Sequence, residues 1–179
     1  MVDAGQTAVL GAEQMAFGGT TLEEPVGRAT VGRVIAAVTS GPWWSSCASP
    51  VAVETPRRGT RSSSARRRVD GLEIRVSDEQ LTIATAAHEL AHALAGVDHG
   101  HDGTFRAAYV DVVAMVGGAS AAGALTEAFE AMGIAMAGRR WPAPYRAEGD
   151  GFVISAGSAS VASAVSPSTL TATPMRRSR

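Results

Sequence analysis

All four histidines of this 179-residue chain lie between His88 and His101. Histidines with unrelated structural roles would be scattered along the sequence, so this clustering indicates one shared site. His88 and His92 are four residues apart, and on a helix this spacing places both rings on the same face, one turn apart. Two imidazole nitrogens arranged in this way can bind one zinc ion at about 2.0–2.1 Å each.

The sequence around the first two histidines predicts a strand followed by a helix. Residues 71–76 alternate between apolar and charged side chains, which is typical of a strand. Ser77 is predicted to cap the next helix, with Gln80 completing a capping box. The helix is expected to continue to about Ala95, with Gly96 as its C-cap. The two histidines would then lie in the middle of a helix.

Glu89 lies one step around this helix from His88. In that position it can reach a water on the metal without being a ligand. Zinc lowers the pKa of a bound water towards about 7, and a carboxylate can take its proton during attack on a carbonyl group. The segment His88-Glu89-Leu90-Ala91-His92 is the HExxH pattern, which fits a metalloprotease. We therefore predict a zinc-dependent metallohydrolase that cleaves amide bonds in a peptide or protein, with Glu89 as general base.

The third metal ligand is less constrained by the residues themselves. A catalytic zinc site usually has three protein ligands and one open position. His101, His99 and Asp98 all follow the predicted helix closely enough to fold back on the metal. Glu127 or Glu130, on a later predicted helix, is a further alternative. The residue pattern alone leaves these alternatives open.

The segment HELAHALAGVDHGHDGTFRAAY resembles the core of SprT-like and WLM-type zinc metallopeptidases. In those families HExxH is followed, after a short turn, by His-Gly/Asp-x-x-Phe, and that histidine completes the metal site. His101 and Phe105 match this motif. The resemblance implies that His88, His92 and His101 bind one Zn2+ ion per chain.

The wider layout is similar to small metallohydrolases of actinobacteria and their phages. This similarity rests on the FGGTTL stretch at 17–22, on Pro42-Trp43, and on Ala128-Phe129 with Gly133. We expect an α+β, zincin-like fold. A small, mostly antiparallel sheet would pack against the HExxH helix, with further helices behind it.

The remaining patterns predict several short elements around this centre. They are strands at 7–10, 17–22 and 50–54, and helices at 30–39, 105–116 (capped by Thr104) and about 119–136.

Three aspartates, Asp98, Asp102 and Asp111, are candidates for orienting a ligating histidine through its second ring nitrogen.

Residues 56–68 combine six arginines with several serines and show no apolar periodicity, so we predict a flexible, solvated loop. Clustered arginines can also bind phosphates, which leaves a nucleic-acid contact as a second interpretation. The alternative function is therefore a non-catalytic, zinc-stabilised binding or regulatory module, associated with DNA through this loop. Glu89 argues against it, because a structural zinc site has no need of a general base.

We expect one metallohydrolase domain over residues 1–147. A mostly disordered tail rich in serine, alanine and glycine would follow over 148–179, with a short strand at 151–155 as one option.

The net charge of -1 gives no general attraction to nucleic acid or to an anionic membrane. The single cysteine, Cys47, excludes an intrachain disulfide. No secretory signal or bilayer-spanning stretch is evident, so we predict a cytoplasmic protein without a membrane partner.

Overall fold

A computed structural model of this chain describes residues 4–56 and 59–144. Within these ranges the helices are α1 (Ala4–Phe17), α2 (Arg28–Thr39), α3 (Pro42–Cys47), α4 (Ile83–Ala95), α5 (Gly103–Val116) and α6 (Gly118–Ala131). The strands are β1 (Val51–Val53), β2 (Ser64–Arg67) and β3 (Leu72–Arg75). This mixture of helices and one small sheet fits the predicted α+β class. The predicted tail at 148–179, with its optional strand, lies outside the described residues.

The three strands form one sheet in the order β1-β3-β2. β1 runs parallel to β3, whereas β2 runs antiparallel to it. The prediction of a mostly antiparallel sheet is therefore wrong, since the sheet is mixed. Alternating side chains identify a strand, but its partners and direction depend on how the whole chain packs.

β2 lies inside the arginine-rich segment, so the prediction of a flexible loop over 56–68 is wrong for Ser64–Arg67. Ala65 packs against the core, while Arg66 and Arg67 remain exposed. Charged side chains on an edge strand do not prevent its main chain from pairing, and they protect the edge from unwanted partners. The neighbouring Arg68 donates a hydrogen bond to Glu73 of β3 at 2.8 Å. Arg57 and Arg58 lie outside the described residues.

The N-terminal segments predicted as strands adopt other conformations. Residues 7–10 belong to helix α1, and the chain after Phe17 forms turns. α1 buries Val9, Ala12 and Phe17, and it packs against α6. A short apolar run is compatible with either a strand or a helix, and here the burial of one helical face decided the outcome.

Helix α4 begins later than the sequence predicts. The Ser77 region forms a 3-10 turn at Asp78–Gln80, and Thr82 is the N-cap, its hydroxyl accepting from the Thr85 N–H at 3.0 Å. The predicted end at Ala95 is confirmed, and Gly96 adopts a φ of 103° at the C-cap. Glycine tolerates such a positive φ without steric cost.

The two C-terminal helices also differ from prediction at their ends. Asp102, rather than Thr104, caps α5 and accepts hydrogen bonds from the main chain of residues 104 and 105. Helix α6 ends at Ala131, earlier than the predicted residue 136. Within the described ranges, every helix is too short or too polar to cross a membrane.

Helix α4 occupies the centre of the fold. It contacts α5, α2 and the sheet. Its buried face carries several alanines, among them Ala86, Ala87 and Ala91, so neighbouring elements can approach closely. The histidine-bearing helix is therefore held on several sides, and this support positions its side chains.

Candidate metal centre

The structure brings the three predicted ligands together. Potential ligand atoms of His88, His92 and His101 all lie within 4.8 Å of one another. Nε2 of His88 and Nε2 of His101 are 3.1 Å apart. Two nitrogens bound to one tetrahedral zinc ion would be about 3.3 Å apart, so this pair is already close to the separation that a metal requires. The donor set and its spacing fit a single metal ion.

The loop after α4 returns His101 to the helix. The positive φ of Gly96 turns the chain, and the main-chain N–H of His99 then donates to the Gly96 carbonyl at 3.0 Å. Arg106 of α5 donates to the carbonyl of His101 at 2.7 Å. These hydrogen bonds hold His101 from both sides, and it is only 9% exposed.

Phe105 lies beneath all three histidine rings. Its ring centroid is 5.0 Å from that of His88, 4.3 Å from His92 and 4.9 Å from His101. The side chain is fully buried. The aromatic residue of the His-Gly/Asp-x-x-Phe motif therefore forms the floor of the cluster and restricts the orientation of each imidazole.

The alternative third ligands have other partners or positions. Nδ1 of His99 lies 3.0 Å from Oδ2 of Asp102. Asp98 is largely exposed and lies 3.5 Å from Arg67. Glu127 and Glu130 are exposed on α6. In the described part of the chain, only the three predicted histidines converge in the manner of a metal site.

Glu89 is buried next to this cluster, with 5% of its surface exposed. Its carboxylate accepts a hydrogen bond from the main-chain N–H of Ala65 in β2. Oε2 has no hydrogen-bond partner within the described ranges. Burial raises the pKa of Glu89 to about 7; the charge of Glu13 adds to this, while His88 and the Ala65 N–H oppose it.

The electrostatics favour neutral imidazole on His92. Burial and the proximity of His88 and His101 lower its pKa to about 3. For His88, burial lowers the pKa, but the hydrogen bond and charge of Glu13, together with Glu89, outweigh burial and leave the pKa raised. A metal binds the unprotonated ring nitrogen and displaces any proton there.

Sequence reasoning missed Glu13, whose Oε1 lies 2.5 Å from Nδ1 of His88. The three aspartates proposed for this role have other partners, namely Arg67, His99 and Arg139. If residues 4–17 had been predicted as a helix, the sequence would have indicated Glu13 as a candidate partner. Glu13 lies one turn after Val9, so it falls on the buried face of α1, where a carboxylate needs a partner.

Comparison of this chain with family models, with curated proteins and with solved structures gives no match. The resemblance to SprT-like and WLM-type peptidases therefore rests on the motif residues themselves. The clustering of the three histidines rests on the geometry described above.

Proposed function

We propose that this chain is a zinc-dependent metallopeptidase with a zincin-like site, in which His88, His92 and His101 bind one zinc ion and Glu89 is the general base. The observation that carries this proposal is the position of Glu89. It is buried beside three converging imidazoles, and its Oε2 has no partner among the described residues. Burying an unpaired carboxylate oxygen is costly, so such a group is expected where it serves the reaction.

The donor set supports zinc as the metal. Three imidazoles from the protein leave one coordination position open, which is the pattern of catalytic rather than structural zinc sites. When bound, zinc supplies a Lewis acid and lowers the pKa of a coordinated water towards about 7. The protein's part is to present three oriented nitrogens and to exclude bulk water from the cluster.

Glu89 is suited to moving a proton in this setting. A general base is most effective when its pKa lies near the working pH, and burial brings the pKa of Glu89 to about 7. The Ala65 N–H holds the carboxylate in place from the sheet side. We propose that Glu89 takes a proton from the attacking water and later returns it to the leaving amine.

The edge of the sheet supports a peptide as substrate. β2 is an edge strand, and the Arg68 N–H donates to the Gly71 carbonyl of the antiparallel hairpin. Because hydrogen-bonded and non-hydrogen-bonded residue pairs alternate along the hairpin, the main-chain groups of Ala65 and Arg67 point away from β3. The Ala65 N–H already donates to Glu89, so the Ala65 carbonyl and the main-chain groups of Arg67 are the ones that an added strand would use. An extended peptide can add to such an edge through main-chain hydrogen bonds, and this edge lies directly beside Glu89.

The alternative of a DNA-associated, non-catalytic zinc module draws less support. Arg61, Arg67 and Arg68 each lie within 4 Å of a carboxylate, respectively on Glu79, Asp98 and Glu73. Carboxylates at these distances offset the positive charge that phosphate binding would use. The activity of the zinc-bound parent and of Glu89→Gln distinguishes the two functions.

The first test is the metal content of untagged protein by mass spectrometry, beside the His88→Ala and His101→Ala variants. We expect about one zinc per chain in the parent, by the site stoichiometry of three ligands to one ion, and less in both variants. Absence of metal after zinc is offered would overturn the proposal. Zinc retained in His101→Ala would remove His101 from the ligand set.

The second test separates the enzyme from the binding module. Glu89→Gln is nearly isosteric and should keep zinc but lose about 10²–10⁴-fold in cleavage of an unfolded protein substrate. Glu130→Gln, at an exposed carboxylate on α6, is the matched control and should cleave like the parent. A parent that binds zinc but cleaves no peptide of a diverse library would favour the non-catalytic module.

A further inference from the structure

Helix α1 contributes one polar side chain to the metal centre from 75 residues away. Oε1 of Glu13 is 2.5 Å from Nδ1 of His88, and the two side chains are 12% and 14% exposed. Because Nδ1–H donates to this carboxylate, Nε2 is the nitrogen left for a metal. That same Nε2 is the atom that lies 3.1 Å from Nε2 of His101.

A second donor holds Glu13 in place. The hydroxyl of Tyr109 hydrogen bonds to the Glu13 side chain. Its other acceptor, the Ala84 carbonyl, is at 3.5 Å, the limit for such a bond. Burial, and then Glu13 itself, raise the pKa of Tyr109, so the hydroxyl keeps its proton and can donate. The Tyr109 ring is fully buried and packs edge-on against Phe17 of α1.

We infer that Glu13 is a positioning residue of the metal centre, which holds the His88 ring with Nε2 towards the metal and so couples the docking of helix α1 to metal binding. This inference rests on the proposed metal site. A carboxylate on the second ring nitrogen fixes the tautomer and orientation of a ligating histidine and increases its basicity. Removing such a partner typically weakens metal binding 10–100-fold.

The coupling must act in both directions. If the contact between α1 and His88 strengthens zinc binding by a given factor, zinc strengthens the docking of α1 by the same factor. Helix α1 is also held by the buried apolar side chains of Val9, Ala12 and Phe17. Their packing does not depend on the metal. Zinc should therefore slow amide hydrogen exchange in α1 in the parent, and do so less when Glu13 is replaced.

Glu23 is a suitable carboxylate for comparison. Burial and the charge of Glu13 raise the pKa of Glu23, which places the two acids in one electrostatic neighbourhood. Glu13, rather than Glu23, makes the hydrogen bond to His88. Glu23→Gln therefore removes a nearby negative charge and leaves the contact with His88 intact.

The experiment measures the zinc dissociation constant of the full chain by competition with a chromophoric chelator. Glu13→Gln should weaken zinc binding about 10–100-fold, whereas Glu23→Gln should stay within about twofold of the parent. A merely structural role would lower the stability of the metal-free chain without changing the dissociation constant. Unchanged affinity in Glu13→Gln, with a parent that binds zinc, would overturn the inference and leave the proposed function standing.

A second measurement needs no metal. Nitrogen-15 NMR of the metal-free parent, above the pH at which His88 titrates, should show the His88 proton on Nδ1, and Glu13→Ala should shift it towards Nε2. A parent with the proton on Nε2 would overturn the inference, whatever its zinc affinity. If the Glu13 variants fail to fold, Tyr109→Phe removes one donor and keeps the buried ring. It should weaken zinc binding by a smaller factor than loss of Glu13, and unchanged affinity would count against the inference.

Discussion

Replacement of Phe105 by leucine tests whether the aromatic floor organises the metal centre. Phe105 is fully buried, and its ring centroid lies 4.3–5.0 Å from those of the three histidines. Leucine is smaller by roughly 25 Å³, which at about 24 cal/mol per Å³ of cavity costs about 0.6 kcal/mol. Loss of four ring contacts, three to the histidines and one to Tyr109, at roughly 0.5 kcal/mol each brings the loss in unfolding free energy of the metal-free chain to about 2.6 kcal/mol.

The same change should weaken zinc binding. Without the ring, each imidazole gains rotational freedom, and restricting a side chain on binding costs about 0.5–1.5 kcal/mol. At the lower end of this range, three imidazoles lose about 1.5 kcal/mol of binding free energy. That corresponds to roughly a tenfold weaker zinc affinity. Guanidinium denaturation and chelator competition measure the two quantities separately.

Phe129→Leu is the matched control. Phe129 is also fully buried, on α6, and no ring contact links it to the histidines within the described ranges. Phe129→Leu should lose about 0.6 kcal/mol of stability from the cavity alone and keep the parental zinc affinity. The reasoning is refuted if Phe105→Leu binds zinc as tightly as the parent, or if both variants lose affinity equally.

Two further predictions concern charge. Burial raises the pKa of Glu89 to about 7, above the roughly 4.3 of an unfolded chain. The folded metal-free chain therefore binds this proton more tightly, and its stability should fall as pH rises between these values. In Glu89→Gln the decrease in unfolding free energy over this pH range should be smaller, by up to roughly 4 kcal/mol. Identical plots of stability against pH for the parent and the variant would contradict this prediction. Asp111, which is buried, accepts from Arg139 at 2.6 and 2.7 Å and from Trp141 at 2.8 Å. Asp111→Ala should cost about 1–3 kcal/mol and speed tryptic cleavage after Arg139 without changing zinc affinity; an unchanged cleavage rate would show that this contact does not hold the segment.

The histidine-bearing helix could be predicted because its signals are local. His88 and His92 share a face through the helical period, and Gly96 marks the end of the helix through its positive φ. Both depend only on residues within one or two turns. Its start was less predictable, since Ser77 and Thr82 both offer a capping side chain and packing selected the second.

His101 could be placed only in part from the residues. The short turn after α4 brings several candidate ligands near the proposed metal site, and the match to a known motif favoured His101. The structure separates the candidates by their contacts: His99 pairs with Asp102, Asp98 lies near Arg67, and His101 turns inward over Phe105. Side-chain direction in a loop depends on such contacts rather than on spacing.

The sequence by itself determined the histidine cluster, the HExxH helix and the glycine turn that follows, because these arise from interactions between near neighbours in the chain. Only the tertiary structure decided that α1 is a helix, that β2 pairs with β3, and that Glu13 reaches His88. Residues 13 and 88 are 75 positions apart, so no local sequence pattern indicates their contact. Their contact follows from the burial of one face of α1, which is a property of the packed molecule as a whole.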